Sequence, residues 1–437
     1  MKNLARNFCV AFYLLLIPIV SVAIEEMPGQ PSKPPTVEQM RAVAMPSYHP
    51  GPNQLQECLG RLSWSSEKMQ EWAVRYEYFS KFSHSFSENV FSRGSEINFG
   101  NVRIGVYEYN GEIKKSIIDS LPENIIIKLS RDLPVLKNKL DEAGKKKNSG
   151  SNAENSYDIA ESDFFHAKEN LEKLKKKYYP YVPGISDSYG FGTLVENSSI
   201  GAEYSVLRAY LFRSEHLYMF ESRERLGAQF SSDDHARKFS SLLKNFRTRR
   251  MNEIPTELGV CIPFGFLPDD GRTVTDIKQS IRWKDAPGVL YTIHTGNVQP
   301  RQLKSTVITA LASSQVGRFG TDEEAEVKKH VDQRIGPRQA KIGGLVGEQG
   351  GVALKVTQPG SKPYEAYSVF TGYSGWLGSA VLPFILVDMQ SFTMEQAPEL
   401  KANPPPFRQS MERLEGVLKY MRLRPTNPPM PELVSGK

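Results

Sequence analysis

The sequence contains two long segments that begin and end alike. The first opens with ECLGRL at residues 57–62, and the second opens with VCIPFG at residues 260–265. They close with LLKNFRTR at residues 242–249 and with VLKYMRLR at residues 417–424. Both closing stretches carry apolar residues three and four positions apart, which is typical of amphipathic helices. We therefore expect the chain to fold as two related domains.

The repeated ends also set the expected domain boundaries. The first segment is the longer one, and a Lys- and Asn-rich tract is the natural place for its extra length. We predict a signal peptide at residues 1–23, a Pro-rich leader at 24–56, an N-terminal domain at 57–249 with an insert near 137–155, a linker at 250–259, a C-terminal domain at 260–425 and a tail at 426–437.

Short strand and helix patterns fill both segments. Val102, Ile104 and Val106 occupy alternate positions, as in a half-buried strand, and two extended stretches around residues 213–215 predict a hairpin. A spacing of three and four predicts helices over residues 164–178 and 327–335. Neighbouring strands with short connections favour antiparallel sheets. The expected fold class is α+β, with two related domains that are each a mainly antiparallel sheet with packed helices.

The first residues have the layout of an export signal. Lys2 and Arg6 precede an apolar run over residues 8–20, and small residues at Ser21 and Ala23 provide a cleavage site. The run is shorter than the roughly 20 residues that cross a bilayer. We expect export, cleavage near Ala23 and no integral membrane span afterwards; a retained anchor is the alternative.

Cleavage would leave two of the three cysteines, Cys58 and Cys261. In an oxidising compartment they form one candidate disulfide, which would close a loop of about 200 residues. The alternative is two separately buried thiols.

Composition and motifs give little support for several classes of function. The 55 Lys and Arg residues nearly balance 49 Asp and Glu residues, so nucleic-acid binding is disfavoured. No His or Cys cluster has zinc spacing, and we expect no metal, no cofactor and no catalytic residues. Ser374 lies in a GYSGW sequence that only partly matches a nucleophile elbow, and residues 343–351 are better interpreted as a hairpin turn than as a phosphate loop.

Two groups of residues are candidates for contacts with a partner. Aromatic side chains crowd the second half around turns, and such residues anchor interfaces when exposed or fill cores when buried. They are Tyr364, Tyr367, Tyr373 and Trp376. Basic runs at residues 145–147 and 173–177 could meet anionic headgroups, although neighbouring acids favour a solvated surface.

The opening sequences at residues 57–62 and 259–266, the stretch at 342–348 and the final Leu423–Pro425 together resemble the Tli4-type immunity proteins of type VI secretion systems. The resemblance covers residues 57–425 and is stronger in the second half. It implies an exported, two-domain α+β protein that binds a Tle4-type phospholipase effector in the periplasm, with an expected stoichiometry of one to one.

An inhibitor of this kind needs a rigid surface rather than catalytic groups. We expect it to cover the active-site entrance of the lipase or to hold its lid. Two alternatives stay open: an envelope-binding module that uses the basic runs, and a periplasmic serine hydrolase with Ser374 as its nucleophile.

Overall fold

The structure is a computed structural model. It describes residues 54–74, 95–147, 150–197, 200–227, 231–297, 328–357, 363–375, 382–392, 400 and 403–426. The predicted signal peptide, nearly all of the leader and the tail beyond Thr426 lie outside these residues.

The described chain combines antiparallel strands with helices, so the predicted α+β class is confirmed. The elements in chain order are β1 (Leu55–Leu59), β2 (Leu62–Ser66), β3 (Gln70–Trp72), β4 (Ser95–Phe99), β5 (Val102–Glu108), α1 (Gly111–Asp119), α2 (Pro122–Lys146), α3 (Ser151–Lys177), β6 (Tyr178–Pro180), β7 (Ser188–Asn197), β8 (Ala202–Arg213), β9 (His216–Arg225), α4 (Ser232–Asn245), β10 (Arg247–Thr248), β11 (Gly259–Ile262), β12 (Gly265–Pro268), β13 (Thr275–Trp283), β14 (Ala286–Gly296), β15 (Lys328–Ile342), β16 (Leu345–Thr357), β17 (Tyr364–Tyr373), β18 (Phe384–Ser391), α5 (Phe407–Tyr420) and β19 (Arg422–Leu423).

These elements form two compact units. Of the described residues, the continuous unit contains those from Val74 to Phe246, and the composite unit combines residues 54–73 with those from Arg247 onward. The repeated ends of the sequence predicted that residues 57–73 belong to the N-terminal domain. In the structure they pack with the C-terminal part instead, because β1 and β2 make their pairings and their disulfide there.

Each unit contains a set of six strands, and the two sets have the same topology. The order is β4-β5-β9-β8-β7-β6 in the continuous unit and β13-β14-β18-β17-β16-β15 in the composite unit. All of these neighbouring pairs are antiparallel. Numbered within its own unit, each set has the order 1-2-6-5-4-3. A helix and a short strand follow the sixth strand in both cases, so the repeat that the ends of the sequence indicated extends through both units.

The local patterns explain most of these elements. The alternating residues Val102, Ile104 and Val106 are buried on β5, and β8 and β9 form the predicted hairpin. Helix α4 begins with a capping box, in which Ser231 and Asp234 each bond the backbone N–H of the other.

One predicted helix is wrong. Residues 328–342 form strand β15 rather than a helix, and β15 pairs with β16. The register shifts between Val331 and Gln333 and again between Ile335 and Arg338, so the apolar residues lose the alternation of a regular strand. Pro337 lies within the second shift, where a residue without an N–H donor is tolerated in a strand. The turn that connects β15 to β16 falls within the predicted glycine-rich hairpin at residues 343–351.

Candidate partner-binding surfaces and their anchor

The closing strand of each repeat pairs with the opening hairpin of the other repeat. Strand β19 pairs with β2, and Leu423 lies opposite Leu62 beside the turn of the first hairpin. Strand β10 pairs with β12, and Thr248 lies opposite Gly265 beside the turn of the second hairpin. All four strands belong to the composite unit. The two hairpins also meet directly through a backbone bridge between Gly60 and Cys261. We call the two hairpins with their added closing strands the hairpin junction.

A disulfide between Cys58 and Cys261 closes the hairpin junction. The two Cα atoms are 5.7 Å apart, and neither residue is exposed to solvent. Next to the bond, Gly60 N–H donates to the carbonyl oxygen of Cys261 at 2.7 Å, and Cys261 N–H donates to that of Gly60 at 2.9 Å. The pairing that the sequence left open is thus present in the structure.

Arg249 and Glu57 form a buried ion pair at the hairpin junction. Arg249 Nη1 is 2.5 Å from Glu57 Oε1, and both side chains are 1% exposed. The Glu57 carboxylate also accepts hydrogen bonds from the backbone N–H groups of Cys58 and Asn252. Burial raises the pKa of Glu57 above its usual value, while the Arg249 charge and these donors oppose the shift. Arg249 Nη2 donates to the carbonyl oxygens of Cys58 and Ile262, so one side chain binds both hairpins.

Arg424 has the equivalent position after β19. The backbone N–H of Arg424 donates to the carbonyl oxygen of Arg61 in the turn of the first hairpin. In the same way, the backbone N–H of Arg249 donates to the carbonyl oxygen of Phe264 in the turn of the second hairpin. The guanidinium of Arg424 donates to the carbonyl oxygens of Pro255, Gly259 and Glu257 and to the sulfur of Cys261, the last at 2.8 Å. Burial, reinforced by the charge of Arg249, lowers the pKa of Arg424 to about 10. The side chain stays cationic at neutral pH.

The continuous unit carries a long helical arm formed by α2 and α3. The two helices lie against each other, and α3 contacts β6 and β7 at the base of the arm. At 1.5 Å per residue, helices of 25 and 27 residues are about 38–40 Å long. Apolar residues that are less exposed than their neighbours recur in steps of three and four along both helices, as at the contact positions of a coiled coil. They are Leu129, Leu133, Leu136, Leu140 and Ala143 on α2, and Tyr157, Ala160, Phe164, Ala167, Leu171 and Leu174 on α3.

Several apolar side chains of the helical arm are exposed. Ile127, Val135, Ile159 and Phe165 are each more than half exposed, although these heptad positions point away from the partner helix and are normally polar. Within the arm, only Pro122 and Leu171 are buried among the side chains that the structure describes. The arm therefore offers accessible apolar side chains on two long helices that lie against each other.

A groove of about 320 Å³ lies beside α5 in the composite unit. Trp283, Arg413 and Tyr420 line it, and Arg413 makes two hydrogen bonds of 2.9 Å to the Asp285 carboxylate. Lys68 Nζ donates to the same carboxylate at 2.7 Å. Tryptophan, tyrosine and arginine are the residue types that most often dominate binding energy at protein interfaces.

The four aromatic candidates from the sequence have different surroundings. Tyr367 and Tyr373 are buried, and Tyr367 Oη donates to the carbonyl oxygen of Pro405 and bonds the Ser410 hydroxyl. Tyr364 is half-buried and packs against a small cluster on β16, and Trp376 lies outside the described residues. Of the described three, Tyr364 alone has substantial surface available to a partner.

Other chemically interesting residues from the sequence lie in the core or on the surface. His235 is buried between two buried serines, with its Nδ1 2.8 Å from Ser205 Oγ and its Nε2 2.8 Å from Ser222 Oγ. Burial, with a smaller effect from Lys238, lowers the pKa of His235 to about 4. Ser374 follows β17 and is half-buried.

The basic runs at residues 145–147 and 173–177 occupy the last turns of α2 and α3, where Lys173 pairs with Glu169 at 2.7 Å. Among the described side chains, no group of three or more His, Cys, Asp or Glu residues comes together as metal ligands would. None of the described helices combines the length and the apolar character that a membrane crossing requires.

Several chains in solved structures are similar to this chain, among them the following three. The Tle4–Tli4 complex contains a chain that is 14% identical, with 86% of this chain and 98% of that chain covered and a TM-score of 0.47. The apo immunity protein TplEi of the type VI secretion system from Pseudomonas aeruginosa is 12% identical, with 86% and 98% coverage and a TM-score of 0.44. The same immunity protein complexed with the "L" peptide is 12% identical, with 86% and 99% coverage and a TM-score of 0.44.

No curated protein matches the chain at a significant level. Residues 253–426, however, match the family model of the Tle cognate immunity protein 4 C-terminal domain. This range contains Cys261, Arg424 and the whole second repeat. The second repeat is therefore similar to the C-terminal domain of the Tle cognate immunity protein 4 family.

Proposed function

We propose that the chain is a periplasmic immunity protein that binds a Tle4-type phospholipase effector one to one and blocks its active-site entrance or its lid. The observation that carries this proposal is the family match over residues 253–426. An inhibitor of this type acts by covering a surface, and a stable interface needs about 800 Å² from each partner.

The composite unit is well suited to presenting a preformed surface. Its hairpin junction is held by a buried disulfide and by the buried side chains of Arg249 and Arg424. A rigid binding surface loses less conformational freedom on association, so more of the contact energy contributes to affinity. The disulfide also supports the periplasmic location, because such bonds persist in oxidising compartments.

Three surfaces are candidates for the contact with the effector. The helical arm offers Ile127, Val135, Ile159 and Phe165. The groove beside α5 offers Tyr420 and the partly exposed Arg413, whereas Trp283 in its lining is buried. Tyr364 is the accessible member of the aromatic set from the sequence.

The direct test is an inhibition titration. A Tle4-type phospholipase is mixed with increasing amounts of the oxidised chain from residue 24 onward, and hydrolysis of phospholipid is measured. We expect activity to fall linearly and to reach zero at an equimolar ratio. Full hydrolysis at a large excess of the chain would contradict inhibition of that effector, and hydrolysis by the chain alone would favour the enzyme alternative.

Single substitutions then identify the surface. Phe165→Asp tests the helical arm, Tyr420→Ala tests the groove and Tyr364→Ala tests the aromatic set. Ile200→Asp is the matched control, because Ile200 is as exposed as Phe165 but lies on a turn outside all three surfaces. At the true contact surface, we expect a loss of inhibition of at least about tenfold, which corresponds to 1.4 kcal/mol, with an unchanged unfolding midpoint.

A further inference from the structure

The two sulfurs of the disulfide have unequal electrostatic surroundings. Arg424 Nη1 donates directly to the Sγ atom of Cys261 at 2.8 Å. The guanidinium next to Cys58 belongs to Arg249, which donates to the carbonyl oxygen of Cys58 and is paired with Glu57. A cation therefore lies directly against the Cys261 sulfur. The Glu257 carboxylate also interacts with Arg424, but it is more than half exposed and pairs with Arg247 at 2.8 Å. The cation near Cys58 is instead compensated by the buried carboxylate of Glu57.

We propose that the Cys58–Cys261 bond is a redox latch with a fixed polarity, in which Arg424 holds Cys261 as the thiolate whenever the bond is broken. Positive charge next to a cysteine favours its thiolate, and a sulfur that is stable as a thiolate is the better leaving group in thiol–disulfide exchange. Arg424 acts here as a positioning residue, and it reaches Cys261 because β19 pairs with the hairpin that carries Cys58.

Because Cys261 is the better leaving group, it also determines which sulfur is attacked first when a dithiol reduces the latch. The reductant thiolate attacks Sγ of Cys58 and forms a mixed disulfide, while the electron pair of the Cys58–Cys261 bond moves to Cys261. The second thiolate of the reductant then attacks the first sulfur of the reductant, which is bonded to Cys58 in the mixed disulfide. This step releases Cys58 as a thiolate, which takes up a proton. The dithiol loses two electrons and becomes a disulfide, and the second of its protons passes to solvent.

The location of the latch links this chemistry to the fold. Both cysteines are fully buried, so a reductant reaches the bond only after the hairpin junction opens. Reduction removes the disulfide cross-link between the two hairpins. The hairpin junction is then held only by non-covalent contacts, which include its hydrogen bonds and the buried arginines. If the proposed function holds, we expect the oxidised chain to be the inhibitory form.

The test uses the chain from residue 24 onward with the substitution Cys58→Ala. Cys9 is then absent, so Cys261 is the only remaining cysteine. The ultraviolet absorbance of its thiolate is followed as a function of pH. We expect a titration midpoint at least one pH unit below the ordinary thiol value of about 8.5.

Two further variants isolate the role of Arg424. Arg424→Gln is expected to move the midpoint to 8.5 or above, because burial without a nearby cation disfavours the thiolate. Arg422→Gln, two residues earlier on β19, removes an equal charge and is expected to leave the midpoint unchanged. A midpoint at or above 8.5 with Arg424 in place would overturn the proposal, and this result does not depend on whether the Arg424→Gln variant folds.

The proposed function is tested separately with the unmodified chain. Inhibition of the phospholipase by the oxidised chain, lost on reduction under denaturing and refolding conditions, is the expected result. Equal inhibition by the oxidised and the reduced chain would refute the latch as a control of function. Absence of inhibition by the oxidised chain would refute the proposed function and leave the thiolate measurement valid.

Discussion

The substitution Glu57→Gln should destabilise the composite unit by about 3–5 kcal/mol. Glu57 and Arg249 are each 1% exposed and approach within 2.5 Å. Gln keeps the size of the side chain but removes its charge, so Arg249 becomes a buried cation without a carboxylate. Breaking a buried ion pair from one side typically costs this amount, because the remaining charge has lost its compensation. The Gln amide also introduces an N–H donor where the carboxylate accepts from Cys58 and Asn252.

A double-mutant cycle separates the pair from its surroundings. Arg249→Met removes the cation and, with it, the hydrogen bonds to the carbonyl oxygens of Cys58, Ile262 and Gly265. The double variant should therefore be less destabilised than the sum of the single variants, by about 2–3 kcal/mol, since contacting residues couple in this range.

Equilibrium unfolding in urea, followed by tryptophan fluorescence, is a suitable assay. The four tryptophans are Trp64, Trp72, Trp283 and Trp376, and none lies within residues 74–246, so the signal follows the composite unit. The control is Glu412→Gln, which breaks an exposed pair with Arg408 and should change stability by less than about 0.5 kcal/mol. A loss below about 1 kcal/mol for Glu57→Gln would refute the view that charge compensation holds the hairpin junction.

Three further predictions concern stability. Replacing Cys58 and Cys261 with Ala should cost about 5 kcal/mol, because the bond closes a loop with a sequence separation of 203, and urea unfolding of the variant and of the oxidised chain measures it. With its pKa of about 4, His235 stays neutral in the fold down to a lower pH than in the unfolded chain, where histidine titrates near 6.5. Stability is therefore complete above pH 6.5 and falls by up to about 3 kcal/mol as the pH decreases to 4, and His235→Gln should remove this slope from a pH series of melting curves. Gly343→Ala should cost about 3 kcal/mol or more, since its φ is +59° and a Cβ would lie 2.0 Å from a backbone oxygen, whereas Gly416→Ala on α5 should be neutral or stabilising in the same assay.

The repeated ends of the sequence correctly predicted a duplicated α+β fold, but they did not predict the exchange of closing strands. Strands β10 and β19 have two residues each, which is too short for a periodic signal. Their partners β12 and β2 belong to the other repeat. Pairing of this kind depends on tertiary contacts far apart in the sequence, so local patterns do not reveal it.

The helical arm was partly predictable. The spacing of Phe164, Ala167 and Leu171 correctly indicated α3. The Lys- and Asn-rich composition of residues 137–155 instead predicted an insert, although the end of α2 and the start of α3 lie within this range. The leucines of α2 from Leu129 to Leu140 have the same spacing of three and four, and this signal would have identified the pair of helices.

The aromatic residues show why composition alone does not locate an interface. Strand β17 lies between β16 and β18, and its last eight residues are all buried. Tyr367 and Tyr373 therefore belong to the core, where burial raises the pKa of both hydroxyl groups. A strand covered on both faces has no alternation of polar and apolar residues, so the sequence could not distinguish its buried aromatics from exposed ones.

The most direct test of the central claim is affinity capture with the oxidised chain from residue 24 onward, performed on periplasmic extract from cells that produce Tle4-type effectors. Mass spectrometry then identifies and quantifies the bound proteins. We predict one phospholipase, recovered at close to one molecule per chain and inactive until it is released. If no phospholipase is recovered from extracts in which the effector is demonstrably present, the claim that this chain is its inhibitor is contradicted.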